Sequence, residues 1–451
     1  MTKTTATAPV LGTRALNRAT LERQLLLRRS PLSAKAAVGH LLGLQAQNVK
    51  PPYYALAARL DGFTPEELSR LMADREVVRI VTVRSTIHTH TAADALTLRP
   101  LVQPARDREL TNFRKGLVGV DLDRLAALAR DLVEAEPRTM KQLREALQTE
   151  WPDADPQALA IAARCKLPLV QVTPRGLWGR SGQVALTTAE HWLGRAPAAR
   201  STPPAPTSSA ATSPGTNPSN AAARGVAVSS VTAPGAASSA AGARGADPSA
   251  AAAEGRASSG AGAPGAASSA ATDSPSDAPP AEDAPSPDAT VLRYLAAFGP
   301  ASVKDMQTWA GLTRLREVFE RLRPQLVTFR DEGGVELFDL AEAPRPDAET
   351  LAPPRFLPEF DNLLLSHADR TRVVPAEYRG RSWVGNQAYC TFLVDGFLAG
   401  VWRLEEAALV IEPFGTLTKA QRAELAEEGV RMLDTMHPGT SYDIRFGTVI
   451  P

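Results

Sequence analysis

Only two cysteines, Cys165 and Cys390, occur in the 451 residues. Two thiols cannot build a disulfide framework, and they lack the paired spacing of a zinc site, which predicts a reducing compartment. No apolar run approaches the ~20 residues that a membrane-spanning helix needs, and the opening MTKTTATAPVLG has no apolar signal core. These absences predict a soluble, cytosolic protein that uses no membrane. GxGxxG, P-loop, GxSxG, HExxH and CxxC patterns are missing as well, so nucleotide cofactors, hydrolase elbows and zinc chemistry lose their usual signals. No cofactor and no metal is expected.

Aromatic residues make up only 5% of the chain, and neither charge sign dominates, with 50 Lys+Arg against 49 Asp+Glu. That balance conceals two materials. Residues 196–290 are almost entirely Ala, Ser, Pro and Gly, with no Leu, Ile, Phe, Tyr or Trp. Such a segment cannot bury enough apolar surface to offset the entropy of ordering and is expected to be a disordered insert. It holds four arginines and seven acids, so the other 356 residues carry 46 basic and 42 acidic side chains, a net +4. Of the basic residues 42 are Arg and eight are Lys. Arg suits bidentate phosphate contacts, although GC-rich coding is the simpler origin of the bias.

Outside the insert an α+β pattern of helices followed by β-ribbons recurs. Helices are expected at 16–29, from Ser33 toward Lys50, through Pro52 to Leu60, and from a Thr64-Pro65-Glu66-Glu67 capping box to Ala73; VVRIVTVRSTIHTH then turns β-branched. A second group has helices at 122–134, after Thr139 and after Asp155-Pro156, with a hairpin at 167–186. A third has helices at 289–298, after Ser302 and at 313–322, with a hairpin turning at Gly333-Gly334. These read as three tandem winged-helix units at 14–120, 121–195 and 288–345, with the insert assigned to 196–287. Residues 351–451 read as strands with one helix at 419–436, a small C-terminal β-barrel or curved sheet. The last helix of the third unit, with Arg314, Arg316, Arg321 and Arg323, has the composition for phosphate contact.

Two phrases invite chemical attention. His88-Thr89-His90 places two imidazoles on one strand face without a third ligand at metal spacing, the plainer alternative being one half-buried and one solvent-facing histidine. In GLQAQN, residues 43–48, glutamines at i and i+2 diverge on a helix and converge only where it unwinds, as Pro51-Pro52 forces. Ordinary capping of loose carbonyls by polar amides is the competing reading.

GLQAQ, PPYYALAARLDGF, VRSTIHTHTAADAL, GLWGRSGQ and LPEFDNLLLSHADRTRVV, in that order, resemble the winged-helix DNA glycosylases of the AlkZ/YcaQ type. The resemblance spans roughly 14–195 and 288–451. It implies three winged helices and a β-barrel embracing double-stranded DNA, removal of alkylated purines, and in some members unhooking of interstrand crosslinks. The family's glutamine, apolar residue, glutamine motif falls on Gln45-Ala46-Gln47, so Gln45 and Gln47 are the implied catalytic pair. Arg84 and His88 match its RxTxH phrase, with Ser85 where Gly is more usual. Arg175, Trp178 and Arg180 fall in a wing that contacts phosphate or anchors to the core, and Asp361, Asn362, His367 and Arg370 fall in a loop facing DNA or capping itself.

An N7-alkylated guanine is already cationic and leaves without a strong acid, while amides can stabilise the oxocarbenium-like sugar and position water. The reading is therefore a monofunctional, monomeric, nucleoid-associated glycosylase of base excision repair, with Gln47 holding the water and Gln45 orienting it, or the reverse. Lys35 and Lys50 have no evident activating partner for a Schiff base. The alternative is a non-enzymatic winged-helix DNA-binding protein or transcriptional regulator.

Overall fold

The computed structural model of the protein describes residues 8–194, 287–384 and 387–450. The expected insert at 196–287 lies outside the described residues except for Pro287, which opens the Pro287–Phe298 helix.

Local chemistry sets most element starts where the sequence places them. Ser33, Asp121, Thr139, Asp155, Ser302 and Thr418 each cap a helix through their side chains, and the boxes at Thr139–Gln142, Ser302–Asp305 and Thr418–Gln421 close both arms. Thr64 is the exception. It makes no side-chain cap, because the Glu67 carboxylate of its expected box accepts the Ala34 N–H at 2.8 Å instead. A tertiary contact overrides the local motif, tying the Pro65–Ala73 helix to the start of the Ala34–His40 helix.

The first helix is shorter than its apolar pattern suggests, spanning Thr13–Arg23, because Leu25 turns left-handed at φ 58° and redirects the chain. The second also stops early, at His40. Leu42 at φ 55° and Gly43 at φ 89° unwind the backbone well before Pro51, and Leu44–Gln45 becomes a strand.

The ribbons expected of the first and second units form one six-stranded sheet. Its order is Leu44–Gln45, Ile87–Thr91, Val77–Val81, Leu169–Gln171, Ala185–Thr188, Arg138–Thr139, antiparallel throughout. In the third group, Leu326–Asp331 pairs antiparallel with Glu336–Leu340 and parallel with Val10–Leu11 from the chain start.

The C-terminal strands do not close into a barrel. Arg355–Leu357, Cys390–Val394, Phe397–Leu404, Ala408–Pro413 and Asp443–Phe446 form an open sheet whose last pair is parallel. A parallel pair needs a crossover, supplied by the Lys419–Met436 helix. Leu425, Met432, Leu433 and Met436 of that helix join Phe356, Leu409 and Ile411 of the sheet in one apolar cluster, which also takes in Tyr53, Tyr54 and Leu56. This sheet finds its core against a helix and the N-terminal helices, so closure onto itself is unnecessary.

Candidate active site

Gln45 stands on the edge strand of the six-stranded sheet, opposite His88, with only 7% of its surface exposed. The backbone pairing continues one residue further through Ala46 N–H to Ile87 O at 2.7 Å. Beyond that the ladder changes character: the Ile87 N–H donates to the Gln47 side-chain Oε1 at 3.4 Å, and Gln47 itself is exposed. A strand end, not a frayed helix, carries the two amides.

Two side chains hold this loop by its carbonyls. Arg79 Nη2 donates to Ala46 O at 2.8 Å and Asn362 Nδ2 to Gly43 O at 2.7 Å, while the longer Arg79 Nη1 contact reaches Asn48 O at 3.5 Å. Gly43 is required twice over: its φ is 89°, and an added Cβ would lie 2.3 Å from the His90 ring.

Arg84 orients Gln45. Its Nη2 donates to Gln45 Oε1 at 2.9 Å and, more weakly, to His88 Nε2 at 3.4 Å, while Nη1 donates to Trp309 O at 2.6 Å. Arg84 lies in the tight turn between the Val77–Val81 and Ile87–Thr91 strands, and both it and Ser85 are left-handed, at φ 53° and 57°. Ser85 thus adopts the conformation that glycine would take at lower cost. Burial and then the positive charge of Arg370 bring the Arg84 guanidinium down to about 10.

His88 Nδ1 lies 3.1 Å from Thr86 O, so the ring carries its proton there and presents Nε2 to Arg84. Burial, helped by Arg84 and His90, holds His88 well below the usual imidazole range. It is a neutral spacer, not an acid. His88 and His90 are both buried and stacked, with centroids 5.5 Å apart, correcting the alternative of one wet and one dry imidazole. Burial takes His90 down to about 4.

Arg79, missed in the sequence reading, is the lone cation within the apolar VVRIV strand; burial and the nearby Arg175 bring it to about 10. Two guanidinium groups therefore touch the Gln45 loop, Arg79 and Arg84, and each feels a further arginine, Arg175 and Arg370 respectively. Among the described residues none is paired with a carboxylate.

The remaining expected residues separate clearly. Asp361 is fully engaged internally, bridging Arg59 at 2.7 and 2.9 Å and capping Leu363 N. His367 is buried with Nε2 2.9 Å from Phe298 O, and burial pushes its protonation down. Neither faces the loop. Trp178 packs 5.0 Å from Tyr53 and 5.9 Å from His437 while its backbone N–H reaches Ser69, so it anchors the second hairpin to the core. Arg180, Arg314 and Arg316 are exposed, whereas Arg321 and Arg323 are bound to Asp288, Glu320 and Glu336. The expected 313–322 helix begins only at Arg316, because Arg314 is left-handed at φ 61°.

Among the described residues no helix is long and apolar enough to cross a membrane. The solved structure of Streptomyces sahachiroi DNA glycosylase AlkZ shares this fold with a TM-score of 0.65, at 18% identity, covering 97% of this chain and 100% of that one. An interstrand DNA cross-link repair glycosylase from the same organism is 30% identical over 152 residues, a stretch spanning 30% of this chain and 38% of that protein. The family described as DNA glycosylase AlkZ-like matches residues 38–260 and 240–435. By that coverage the chain belongs to the AlkZ-like DNA glycosylase family.

Proposed function

We propose that the protein hydrolyses the N-glycosidic bond of N7-alkylated purines in double-stranded DNA, with guanines crosslinked through N7 as the bulky end of its substrate range. The observation that carries the reading is the Gln45 amide, held at 2.9 Å by Arg84, with Arg79 on the next carbonyl, neither arginine in ion-pair contact with a carboxylate among the described residues, and with the exposed Gln47 two residues on along the strand end. The cations suit the phosphates that flank an extruded nucleotide, and the amides suit its sugar.

N7-alkylation makes the base a cationic leaving group. The C1′–N9 electron pair departs with the purine, which becomes neutral, and positive charge passes to the sugar. Gln47, exposed at the surface, holds the attacking water; Gln45, fixed by Arg84, orients it. Neither amide titrates, and His88 is kept neutral, so nothing in this constellation protonates a base. Neutral lesions are accordingly poor substrates. The three helix-and-ribbon groups serve as winged-helix units, and the exposed Arg180, Arg314 and Arg316 extend the phosphate contacts.

Incubation with a duplex carrying N7-methylguanine, followed by alkaline cleavage of abasic sites, tests the reading. Wild type excises the base and the Gln45→Ala/Gln47→Ala variant does not. Equal yields from the two, with duplex binding intact, return the protein to a DNA-binding role without this chemistry.

A further inference from the structure

The sequence LPEF delivers one group that the reading above leaves unused. The Arg355–Leu357 strand ends beside Cys390–Val394, and Glu359 follows two residues later. Phe360 then turns left-handed, at φ 60°, so that Asp361 can reach Arg59 while Glu359 points the other way. Glu359 Oε1 accepts from Asn48 Nδ2 at 2.9 Å and Oε2 from the Cys390 thiol at 3.1 Å. Burial and the Glu359 charge push Cys390 upward, so the thiol stays protonated and donates. Asn48 directly follows Gln47, which sets the carboxylate at the shoulder of the amide pair.

Glu359 is half-buried, and among the described residues no Lys, Arg or His forms an ion pair with it. The site is thus divided. Arg79 and Arg84 reach the loop through the Ala46 and Asn48 carbonyls and the Gln45 amide, without a carboxylate in ion-pair contact; beyond the Asn48 side chain stands Glu359, with no cation in ion-pair contact among the described residues. Two opposite charges kept apart across one loop are each arranged for an external partner of the other sign. Phosphate suits the guanidinium side. The cation that suits Glu359 is the one that a glycosidic cleavage creates.

Resting on the proposed glycosylase reading, we propose that Glu359 is the anionic catalytic residue of the site, facing the deoxyribose and stabilising its oxocarbenium-like cation as the C1′–N9 bond breaks. Water then attacks C1′, and the proton it releases passes to the Glu359 carboxylate and on to solvent. Dipolar amides alone provide no full negative charge, and this carboxylate provides it beside the water that Gln47 holds.

Two measurements on the full chain decide the matter. In single-turnover excision of N7-methylguanine, Glu359→Gln keeps the half-saturating enzyme concentration within about 3-fold and slows cleavage about 10²-fold, the scale of a removed electrostatic group in a transition state. In equilibrium binding, wild type prefers a duplex with a cationic pyrrolidine abasic analogue over one with neutral tetrahydrofuran, and Glu359→Gln binds the two alike. Excision at the wild-type rate, or an unchanged preference, overturns the inference. Glu359→Asp, which keeps the charge, is the second variant and retains part of the preference; loss equal to that of Glu359→Gln sinks the charge argument. If wild type excises nothing, the glycosylase reading fails by itself, and the analogue preference still decides for or against Glu359.

Discussion

Arg59 and Arg84 stand close in sequence and meet their charge in opposite ways. Arg59 is completely buried and gives both terminal nitrogens to the Asp361 carboxylate, itself 3% exposed. Arg84 gives its nitrogens to an amide oxygen, an imidazole and a backbone carbonyl, and the positive charge of Arg370 acts on it. The first arrangement is neutral overall and joins the N-terminal helices to the C-terminal segment. The second leaves a positive field at the Gln45 loop. A buried arginine is architectural when its countercharge is inside the protein and functional when that countercharge must be brought by a ligand.

The largest effect that separates the two comes from substituting each by methionine. Arg59→Met strands Asp361 as a buried, unpaired carboxylate and lowers unfolding free energy by about 3–5 kcal/mol, measured by urea denaturation. Arg84→Met removes a cation that had no countercharge, while leaving Trp309 O and Gln45 Oε1 without a donor; these opposing terms leave stability within about 1 kcal/mol. Equal losses in the two variants would erase the distinction.

Activity reverses the order. Freed of Arg84, the Gln45 amide rotates away from its working orientation, and excision of N7-methylguanine falls about 10²-fold, the usual cost of a misplaced positioning group. Gln45→Glu is the informative companion, because a carboxylate opposite Arg84 makes the ion pair that the site avoids. It stabilises the fold and slows excision. A Gln45→Glu enzyme as fast as wild type would show that keeping Arg84 without a carboxylate partner has no importance.

Much of this was legible in advance, and the failures share a cause. Helix starts at Ser33, Asp155 and Ser302 depend on neighbours three residues away and read directly from sequence. Helix ends at Arg23 and His40 depend on left-handed turns at Leu25 and Leu42, residues with no local signature for that conformation. In the site, Gln45 and Gln47 were visible as a phrase, but their division into a buried and an exposed amide was not. That division comes from pairing with Ile87 and His88, about forty residues on. Asp361, Asn362 and His367 fall in one phrase, FDNLLLSHADR, which the resemblance assigns to a loop facing DNA or capping itself. Their partners, Arg59, Gly43 and Phe298, are scattered through the chain and assign each a structural task. Glu359 escaped notice because a lone Glu in LPEF has no pattern; only its contacts with Asn48 and Cys390 distinguish it.

Stability against pH sharpens the same contrast with a smaller effect. Burial holds His90 at about 4 against an ordinary 6.5, with the nearby Asp94 opposing and Arg293 assisting. The folded state therefore refuses a proton that the unfolded state accepts once the pH drops below about 6.5. The contribution of the neutral ring is complete above that pH and declines as pH falls toward 4. His88 and His367 shift in the same direction and add to the decline. Melting temperature should fall across this window, and His90→Gln, which can keep a hydrogen bond to Thr82, should flatten part of the fall. A His90→Gln profile parallel to wild type would remove His90 from the account.

At the surface the comparison is repeated in the smallest measurable form. Arg323 is held by Glu320 and Glu336, whereas the exposed Arg316, on the same helical segment, has no carboxylate in ion-pair contact among the described residues. A phosphate gains little from an arginine whose charge is already compensated. Arg316→Ala should therefore weaken duplex binding several-fold and reduce the slope of log affinity against log salt by about 0.9, one released counterion. Arg323→Ala leaves Glu320 and Glu336 uncompensated near the same face, so it too weakens binding, through repulsion of the duplex. Both deficits shrink as salt rises, but Arg316→Ala gives up a released counterion whereas Arg323→Ala adds only a screened repulsion, so the slope falls by less in Arg323→Ala than in Arg316→Ala. If both variants lose the same slope, ion pairing inside the protein does not decide which arginines reach DNA.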